Sequence, residues 1–273
     1  MCTAGYDGIV DFGSRRDEKD MTIEEVKRIA KAGNIEAIHV VADYCYREGD
    51  IMEAAEWYER SAEHGNSAGR IAAFQMRCLG GITFQGTGYF MEALECWSGA
   101  YRLLSGIVND DGIDEESQQL CLKKLPSIEY GIGAIFYLLG RRETASDSLH
   151  SAVNGGSVIA KIALGLMYYD DIADRSRPSD IHETISLLEA VFDPDLVIGG
   201  IGSKLDETII YRAHCLLAEI YRKGTGGLEQ DVGKAYNCML HLQAQSLENY
   251  SEEAEVELRK YGIGFGEGYQ YSE

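Results

Sequence analysis

The stretch from Leu216 to Gln243 constrains the fold of this chain more than any other. It begins with an apolar helical pattern, passes into a glycine-rich loop at 224–227, and ends in a second helical pattern that opens near Asp231. The second pattern carries Lys234-Ala235-Tyr236. Glycine commonly ends helices because it adopts the left-handed conformation cheaply. The stretch therefore predicts two helices joined by a short loop, a helical hairpin.

The motif of the second helix recurs along the chain. Met52–Trp57 (Met-Glu-Ala-Ala-Glu-Trp) returns as Met91–Trp97 (Met-Glu-Ala-Leu-Glu-Cys-Trp), 39 residues further on. The small residue of the motif is Ala54 in the first copy and Ala93 in the second. Further candidates for this residue follow at spacings of 52, 39 and 51 residues: Ala145, Thr184 and Ala235. The shorter period of 39 residues is typical of stacked helical hairpins. The longer spacings predict insertions, which we place at 106–115 and 193–204.

Apolar residues at three- and four-residue spacing predict the helices within each repeat. For repeat one we expect helices at Ile35–Arg47 and Ile51–His64, with Gly65 as a left-handed cap. The other predictions concern a loop over Gly80-Gly81, Gly86 and Gly88, a second helix at Tyr89–Leu104, a helix break at Pro126, a polar loop at Asp170–Ser179, and a helix at Ile181–Val191 capped by Ser179 or Asp180.

This hairpin pattern resembles the Sel1-like repeat, a relative of the tetratricopeptide repeat. The residues that carry the resemblance are Leu216–Tyr236, the linker Ala62–Ala68 and Leu164–Tyr168. The resemblance implies an all-α fold, a right-handed α-α superhelix or solenoid of about five helical hairpins. It also implies a non-catalytic scaffold or adaptor that binds a protein or peptide on its concave face, where first helices line the surface.

The pattern divides the chain into three parts. We expect a flexible N-terminal segment at 1–20, a repeat array with capping helices at 21–250, and a C-terminal cap with a glycine- and aromatic-rich tail at 251–273. Met21–Lys31 is amphipathic, is opened by Thr22, and is predicted to cap the array.

The chain of 273 residues carries a formal net charge of −20. A field of that sign repels phosphate backbones and anionic lipid surfaces. We therefore expect neither nucleic acid nor membrane as a partner. The negative charge either keeps a protein with an exposed helical surface soluble or forms an acidic groove for a basic segment. In the second case, association with the partner slows as salt rises.

The seven cysteines indicate a reducing compartment. Their number is odd, no Cys-x-x-Cys occurs, and six of them lie in apolar helical patterns. The sequence contains neither a secretory signal pattern nor an apolar run long enough to span a membrane. We expect a cytoplasmic protein with reduced and mostly hidden thiols.

Motifs for chemistry are weak in this sequence, and we expect no catalytic residue, cofactor or metal. Gly262–Gly268 resembles a dinucleotide-binding loop but follows a charged helical pattern instead of a strand. Cys238 and His241 share a helix face, yet no second pair accompanies them at zinc-site spacing. The neighbours His214 and Cys215 point about 100° apart on a helix and cannot act as a base and nucleophile.

We predict that polar and tyrosine residues on the first helices bind the partner. The candidates, each beside or at the border of an apolar stripe, are Asp43, Arg47, Gln75, Arg77, Lys161, Tyr168, Arg212 and Glu219. Two alternatives stay open at this stage. The chain can be a dedicated regulatory or inhibitory partner of a single protein, or an enzyme whose site the sequence does not reveal.

Overall fold

The computed structural model describes residues 9–10, 21–173, 180–194, 196 and 204–244, and helices dominate it. The α-helices are α1 (Ile23–Lys31), α2 (Ile35–Arg47), α3 (Ile51–Glu63), α4 (Ser67–Thr87), α5 (Phe90–Val108), α6 (Glu115–Leu122), α7 (Leu125–Leu138), α8 (Arg142–Asn154), α9 (Val158–Ala173), α10 (Ile181–Leu188), α11 (Lys204–Lys223) and α12 (Val232–Ala244). Short 3-10 helices follow at Glu189–Phe192 and Thr225–Gly227. The predicted all-α class of about five helical hairpins is confirmed.

The chain divides into two compact units. One is formed by Met1–Phe84 with Phe90–Ile128, and the other by Gln85–Tyr89 with Glu129–Glu273. The first unit contains hairpin one (α2 and α3) and hairpin two (α4 and α5). The second contains hairpin three (α7 and α8), hairpin four (α9 and α10) and hairpin five (α11 and α12). The boundaries pass through the last turn of α4 and the first turn of α7.

Side chains next to the helices start them where the sequence predicts. Thr22 and Glu25 form a reciprocal capping box at α1. Asp180 accepts a hydrogen bond from the backbone of His182 at the start of α10, as predicted, and Asp231 accepts from Lys234 N at 2.8 Å in α12. The predicted bounds of α2 are confirmed, and Gly65 after α3 has the predicted positive φ, at 81°.

The predicted loop at Gly80-Gly81 is wrong, because α4 continues through both glycines and the break comes at Gly88. A Cβ atom on Gly80 would lie 2.6 Å from Cys96 Sγ, and one on Gly81 would lie 2.5 Å from the ring of Trp97. These glycines therefore allow α4 and α5 to approach closely and do not end a helix.

The two predictions of a helix break at Pro126 and a polar loop at Asp170–Ser179 have different outcomes. Pro126 lies in the first turn of α7, where backbone N–H groups have no acceptor within the helix, so the missing N–H of proline costs no hydrogen bond. The predicted helix break at Pro126 is confirmed. The polar loop predicted at Asp170–Ser179 is wrong for its first four residues, because α9 continues to Ala173, and 174–179 lie outside the described residues. Asp170 and Asp171 are polar but belong to the helix.

The structure adds a strand pair that the sequence analysis missed. Ile9–Val10 (β1) pairs antiparallel with Met21–Thr22 (β2) directly before α1. The remainder of 1–20, the rest of the insertion after Asp193, and the C-terminal segment with its Gly262–Gly268 motif lie outside the described residues.

Small residues of the second helices are buried. Ala54, Ala55 and Ala93 of the recurring motif are buried, and so are Ala145, Thr184 and Ala235 at the later spacings. Glycines of the first helices complement them. A Cβ on Gly133 would lie 2.8 Å from Leu149, and one on Gly165 would lie 3.0 Å from Leu188. The two helices of each hairpin therefore pack with little room for larger side chains.

Candidate functional site

The first helices of hairpins three, four and five share a network of polar side chains. The Tyr137 hydroxyl on α7 donates a hydrogen bond to the Asp170 carboxylate on α9. Arg212 on α11 approaches the other oxygen of Asp170, with Nη2 at 3.7 Å from Oδ1. Asp170 therefore links three consecutive first helices of the second unit.

A cleft of about 280 Å³ lies between α9 and α11. Its lining residues are Leu166, Tyr169, Asp170, Tyr211, Arg212, Cys215, Leu216 and Glu219. Three- and four-residue spacing places them on one face of each helix. Leu166 is buried and forms part of an apolar floor, whereas the charged residues are half-exposed or exposed. We call this feature the α9–α11 cleft.

The phenols of Tyr137 and Tyr169 stay protonated at neutral pH, because the pKa of each is raised. Burial raises the pKa of Tyr137 to about 12, and its hydrogen bond to Asp170 acts in the same direction. Burial also raises the pKa of Tyr169, and the nearby charge of Glu219 raises it further. These tyrosines can donate hydrogen bonds through their hydroxyls and present the faces of their rings. The charges of the lining come from Asp170, Arg212 and Glu219.

Two of the predicted binding residues line the α9–α11 cleft, and two more lie on α9. Arg212 and Glu219 contribute to its wall, and Glu219 also forms an ion pair with Lys223 one turn later. Tyr168 lies outside the lining and its hydroxyl is 2.9 Å from His150 Nε2 on α8. Lys161 is half-buried two turns before Tyr168.

The other four predicted residues belong to the first unit. Asp43, Arg47 and Gln75 are exposed on α2 and α4, and Asp43 accepts a hydrogen bond from the Tyr58 hydroxyl. Arg77, in contrast, is buried, with 4% of its surface exposed. Its guanidinium lies 2.6 Å from Glu59 and 3.7 Å from Glu95, so it connects α4 with α3 and α5.

The prediction missed Tyr169, Asp170, Tyr211 and Leu216. The sequence predicts a polar loop from Asp170 onward, so it gives no reason to place that side chain on a helix face. For Leu216 the available signal was its spacing from Arg212 and Glu219 on the same helix, because residues at i, i+3, i+4 and i+7 share a helix face. That signal becomes useful only when the partner helix is known.

The first unit contains a second cleft of about 320 Å³ where α3, α4 and α5 meet. Its lining residues are Glu59, Ala62, Glu63, Arg70, Gly99, Arg102, Leu103 and Gly106. Arg70 is held there by an ion pair with Asp110. Most of these residues come from α3 and α5, the second helices, which are not the predicted binding surface.

Two histidines, the buried His214 and the half-buried His241, form a pair in hairpin five. His214 Nδ1 is 2.9 Å from the carbonyl oxygen of Ile210, and its Nε2 is 3.1 Å from Nδ1 of His241. Since a carbonyl oxygen only accepts, Nδ1 of neutral His214 carries the proton and Nε2 accepts from His241. Phe192 contacts both rings edge-on. His241 is therefore engaged with His214, and Cys238 beside it is buried with its thiol pKa raised to about 12 by burial.

This histidine pair predicts a loss of stability in acid. Burial lowers the pKa of His214 to about 4, so the imidazole stays neutral in the folded chain while the unfolded chain takes up a proton below about pH 6.5. Stability from this group is complete above pH 6.5 and falls as the pH decreases towards 4. Between pH 7 and 5 the expected loss is about 2 kcal/mol. Urea unfolding at both pH values measures it.

The variant His214→Gln isolates this contribution from the titration of the many carboxylates. We expect the wild type to lose about 2 kcal/mol more than the variant between pH 7 and 5. Equal losses in the two proteins would show that His214 is not buried in its neutral form.

Within the described ranges, no group of three or more His, Cys, Asp or Glu side chains is placed to hold a metal ion. None of the described helices combines the length and apolarity that a membrane crossing requires.

Comparison with known proteins agrees with the hairpin geometry. The model of the Sel1 repeat matches residues 35–66, which span hairpin one, and residues 212–240, which span most of hairpin five. No curated protein matches the chain. A solved structure similar to this chain is a protective antigen present in uropathogenic Escherichia coli strains, described as displaying an SLR fold. It has 17% sequence identity and a TM-score of 0.38, over 87% of this chain and 60% of that one. This chain thus spans less than two thirds of that structure's length.

Proposed function

We propose that this chain, a Sel1-like repeat protein with Sel1 repeats at 35–66 and 212–240, is a non-catalytic scaffold or adaptor. It binds a peptide or a segment of another protein with the first helices of its hairpins. The observation that carries the proposal is the α9–α11 cleft, which lies between two consecutive first helices.

The cleft has the size and composition that suit side chains of a bound segment. About 280 Å³ is near the lower end of the usual range for ligand pockets. Tyr169 and Tyr211 provide large contact areas with few rotatable bonds, so binding orders them at low entropic cost. Leu166 and Leu216 add an apolar floor, and the charged residues provide orientation.

The proposal includes one repeat array over 21–250, with 1–20 and 251–273 flanking it. Support at the N-terminal end comes from α1, where Val26 and Ala30 are buried in the same core as Ile38 and Val41 of α2. A helix that buries its apolar face on the first repeat and exposes a polar face to water acts as a cap.

We also place the protein in the cytoplasm. Six of the seven cysteines lie in the described part of the chain, and none of these six takes part in a disulfide. Cys45, Cys96, Cys121 and Cys238 are buried, where cysteine packs as a small apolar residue. This number of cysteines outside disulfides is typical of proteins from a reducing compartment.

Site-specific photocrosslinking in an extract of the source cells tests which face binds. The photoreactive residue p-benzoylphenylalanine replaces Arg212 or Glu219 on first helices, or the exposed Glu143 and Glu183 on second helices of the same unit. We expect discrete crosslinked proteins from the first pair and none from the second. Crosslinks from Glu143 and Glu183 alone would place the working face on the second helices and contradict the proposal.

A further inference from the structure

We propose that the α9–α11 cleft receives a basic side chain, arginine or lysine, of the bound segment. The inference rests on the proposed function and specifies the chemistry of the partner. Asp170 and Glu219 present carboxylates to the cleft from α9 and α11, with 29% and 41% of their side-chain surfaces exposed. They are accessible to a ligand and are still partly shielded from water.

Both carboxylates retain capacity to accept hydrogen bonds. Asp170 Oδ2 accepts from Tyr137, but Oδ1 is 3.7 Å from its nearest cation, Arg212 Nη2, which exceeds hydrogen-bond length. Glu219 Oε1 accepts from Lys223, and Oε2 forms no hydrogen bond with any described residue. An ionised carboxylate offers about four acceptor positions. A guanidinium or ammonium group can therefore add hydrogen bonds without displacing those already made by Tyr137 and Lys223.

The remaining lining suits the other parts of a long basic side chain. Leu166 and Leu216 provide an apolar surface for its methylene groups, which commonly pack on apolar residues while the charged end stays polar. Tyr169 and Tyr211 offer aromatic faces, and a cation over such a face is stabilised by the ring quadrupole.

The presence of Arg212 does not make the cleft prefer an acidic ligand. It is the single cation among the lining residues and faces two carboxylates, and the whole chain has a net charge of −20. An acidic segment would be repelled by this field, whereas a basic segment is steered towards it. Arg212 is also 45% exposed and its pairing with Asp170 is long. Such exposed pairs are weak, so Arg212 can yield to an entering cation.

The experiment selects dodecapeptides from a random phage-displayed library on the full chain. A selected peptide is then synthesised in two forms, with its basic residue kept or replaced by an uncharged analogue (citrulline for arginine, norleucine for lysine). Both forms are titrated against the wild type and the variant Glu219→Gln. Because Gln keeps a hydrogen-bond acceptor but lacks the charge that strengthens a hydrogen bond to a cation, we expect the basic form to bind the variant roughly tenfold more weakly than the wild type.

The uncharged form should bind both proteins within about twofold, since the missing charge removes the interaction that Glu219 supplies. Glu143→Gln, on the exposed surface of α8, is the matched control and should leave both affinities unchanged. Cys215 is a lining residue of the cleft. If the bound basic peptide protects Cys215 from an alkylating reagent, the peptide lies in the cleft.

The outcomes separate this inference from the proposed function. Peptides that protect Cys215 but contain no basic residue, or that bind Glu219→Gln as tightly as the wild type, overturn the inference and leave peptide binding intact. Failure to select any peptide that binds the chain contradicts the proposed function as well.

Discussion

Replacing Trp97 with alanine is expected to lower the free energy of unfolding of the first unit by about 3–5 kcal/mol. Trp97 lies on α5 with 4% of its surface exposed. Its ring fits against Gly81 of α4, where a single additional carbon atom would come within 2.5 Å of two ring atoms. Removing the indole leaves a cavity beside a glycine, which has no side chain to fill it. Urea denaturation followed by far-UV circular dichroism measures the loss.

Tyr101 provides the control for Trp97, because it lies one turn later on α5 and is 51% exposed. Tyr101→Ala should change the free energy of unfolding by no more than about 0.5 kcal/mol. Adding volume at the same crossing with Gly81→Ala should lower the free energy of unfolding by about 1–3 kcal/mol through overpacking. A wild-type stability for both Trp97→Ala and Gly81→Ala would contradict the close approach of α4 and α5.

Removing the carboxylate of Glu59 is expected to destabilise the first unit by about 3 kcal/mol, more than removing the buried charge of Arg77 itself. Glu59→Ala leaves the guanidinium of Arg77 buried, with only the exposed Glu95 at 3.7 Å. An uncompensated buried charge is strongly destabilising, by about 3–5 kcal/mol, and the partial exposure of Glu59 favours the lower end. Arg77→Met keeps similar volume and removes the charge, so it should cost less than about 1.5 kcal/mol.

The comparison of Glu59→Ala with Arg77→Met decides whether Arg77 is a structural or a binding residue. Chemical denaturation gives the stabilities, and Glu92→Ala, at an exposed site on α5, serves as the surface control. If Arg77→Met proves fully stable yet abolishes the binding of a selected peptide, Arg77 acts in recognition and its buried position in the fold is misassigned.

Much of the fold could be predicted because its signals are local. A capping side chain acts on backbone groups two or three residues away, so Thr22, Asp180 and Asp231 mark their helix starts regardless of the rest of the chain. The same holds for Gly65, whose positive φ depends on its own lack of a Cβ atom. Repetition of these local signals revealed the hairpins and the small residues that lie at their crossings.

The errors arose where a residue type has two uses that only a neighbouring helix distinguishes. Glycine ends a helix at Gly88, but at Gly80 and Gly81 it allows Cys96 and Trp97 to approach. Charged side chains usually face water, but Arg77 is buried because two glutamates from α3 and α5 converge on it. Aspartates often indicate loops, but Asp170 stays helical and accepts a hydrogen bond from Tyr137.

The candidate site shows the same division between local and tertiary information. The sequence by itself determined the helical hairpins, the small residues at their crossings and the presence of Arg212 and Glu219 on a first helix, because periodicity and capping act within about a turn. Only the tertiary structure decided that Tyr169 and Asp170 of α9 line a cleft with them. That contact joins residues more than forty positions apart, and it depends on how α9 and α11 pack, which no local pattern in either helix specifies.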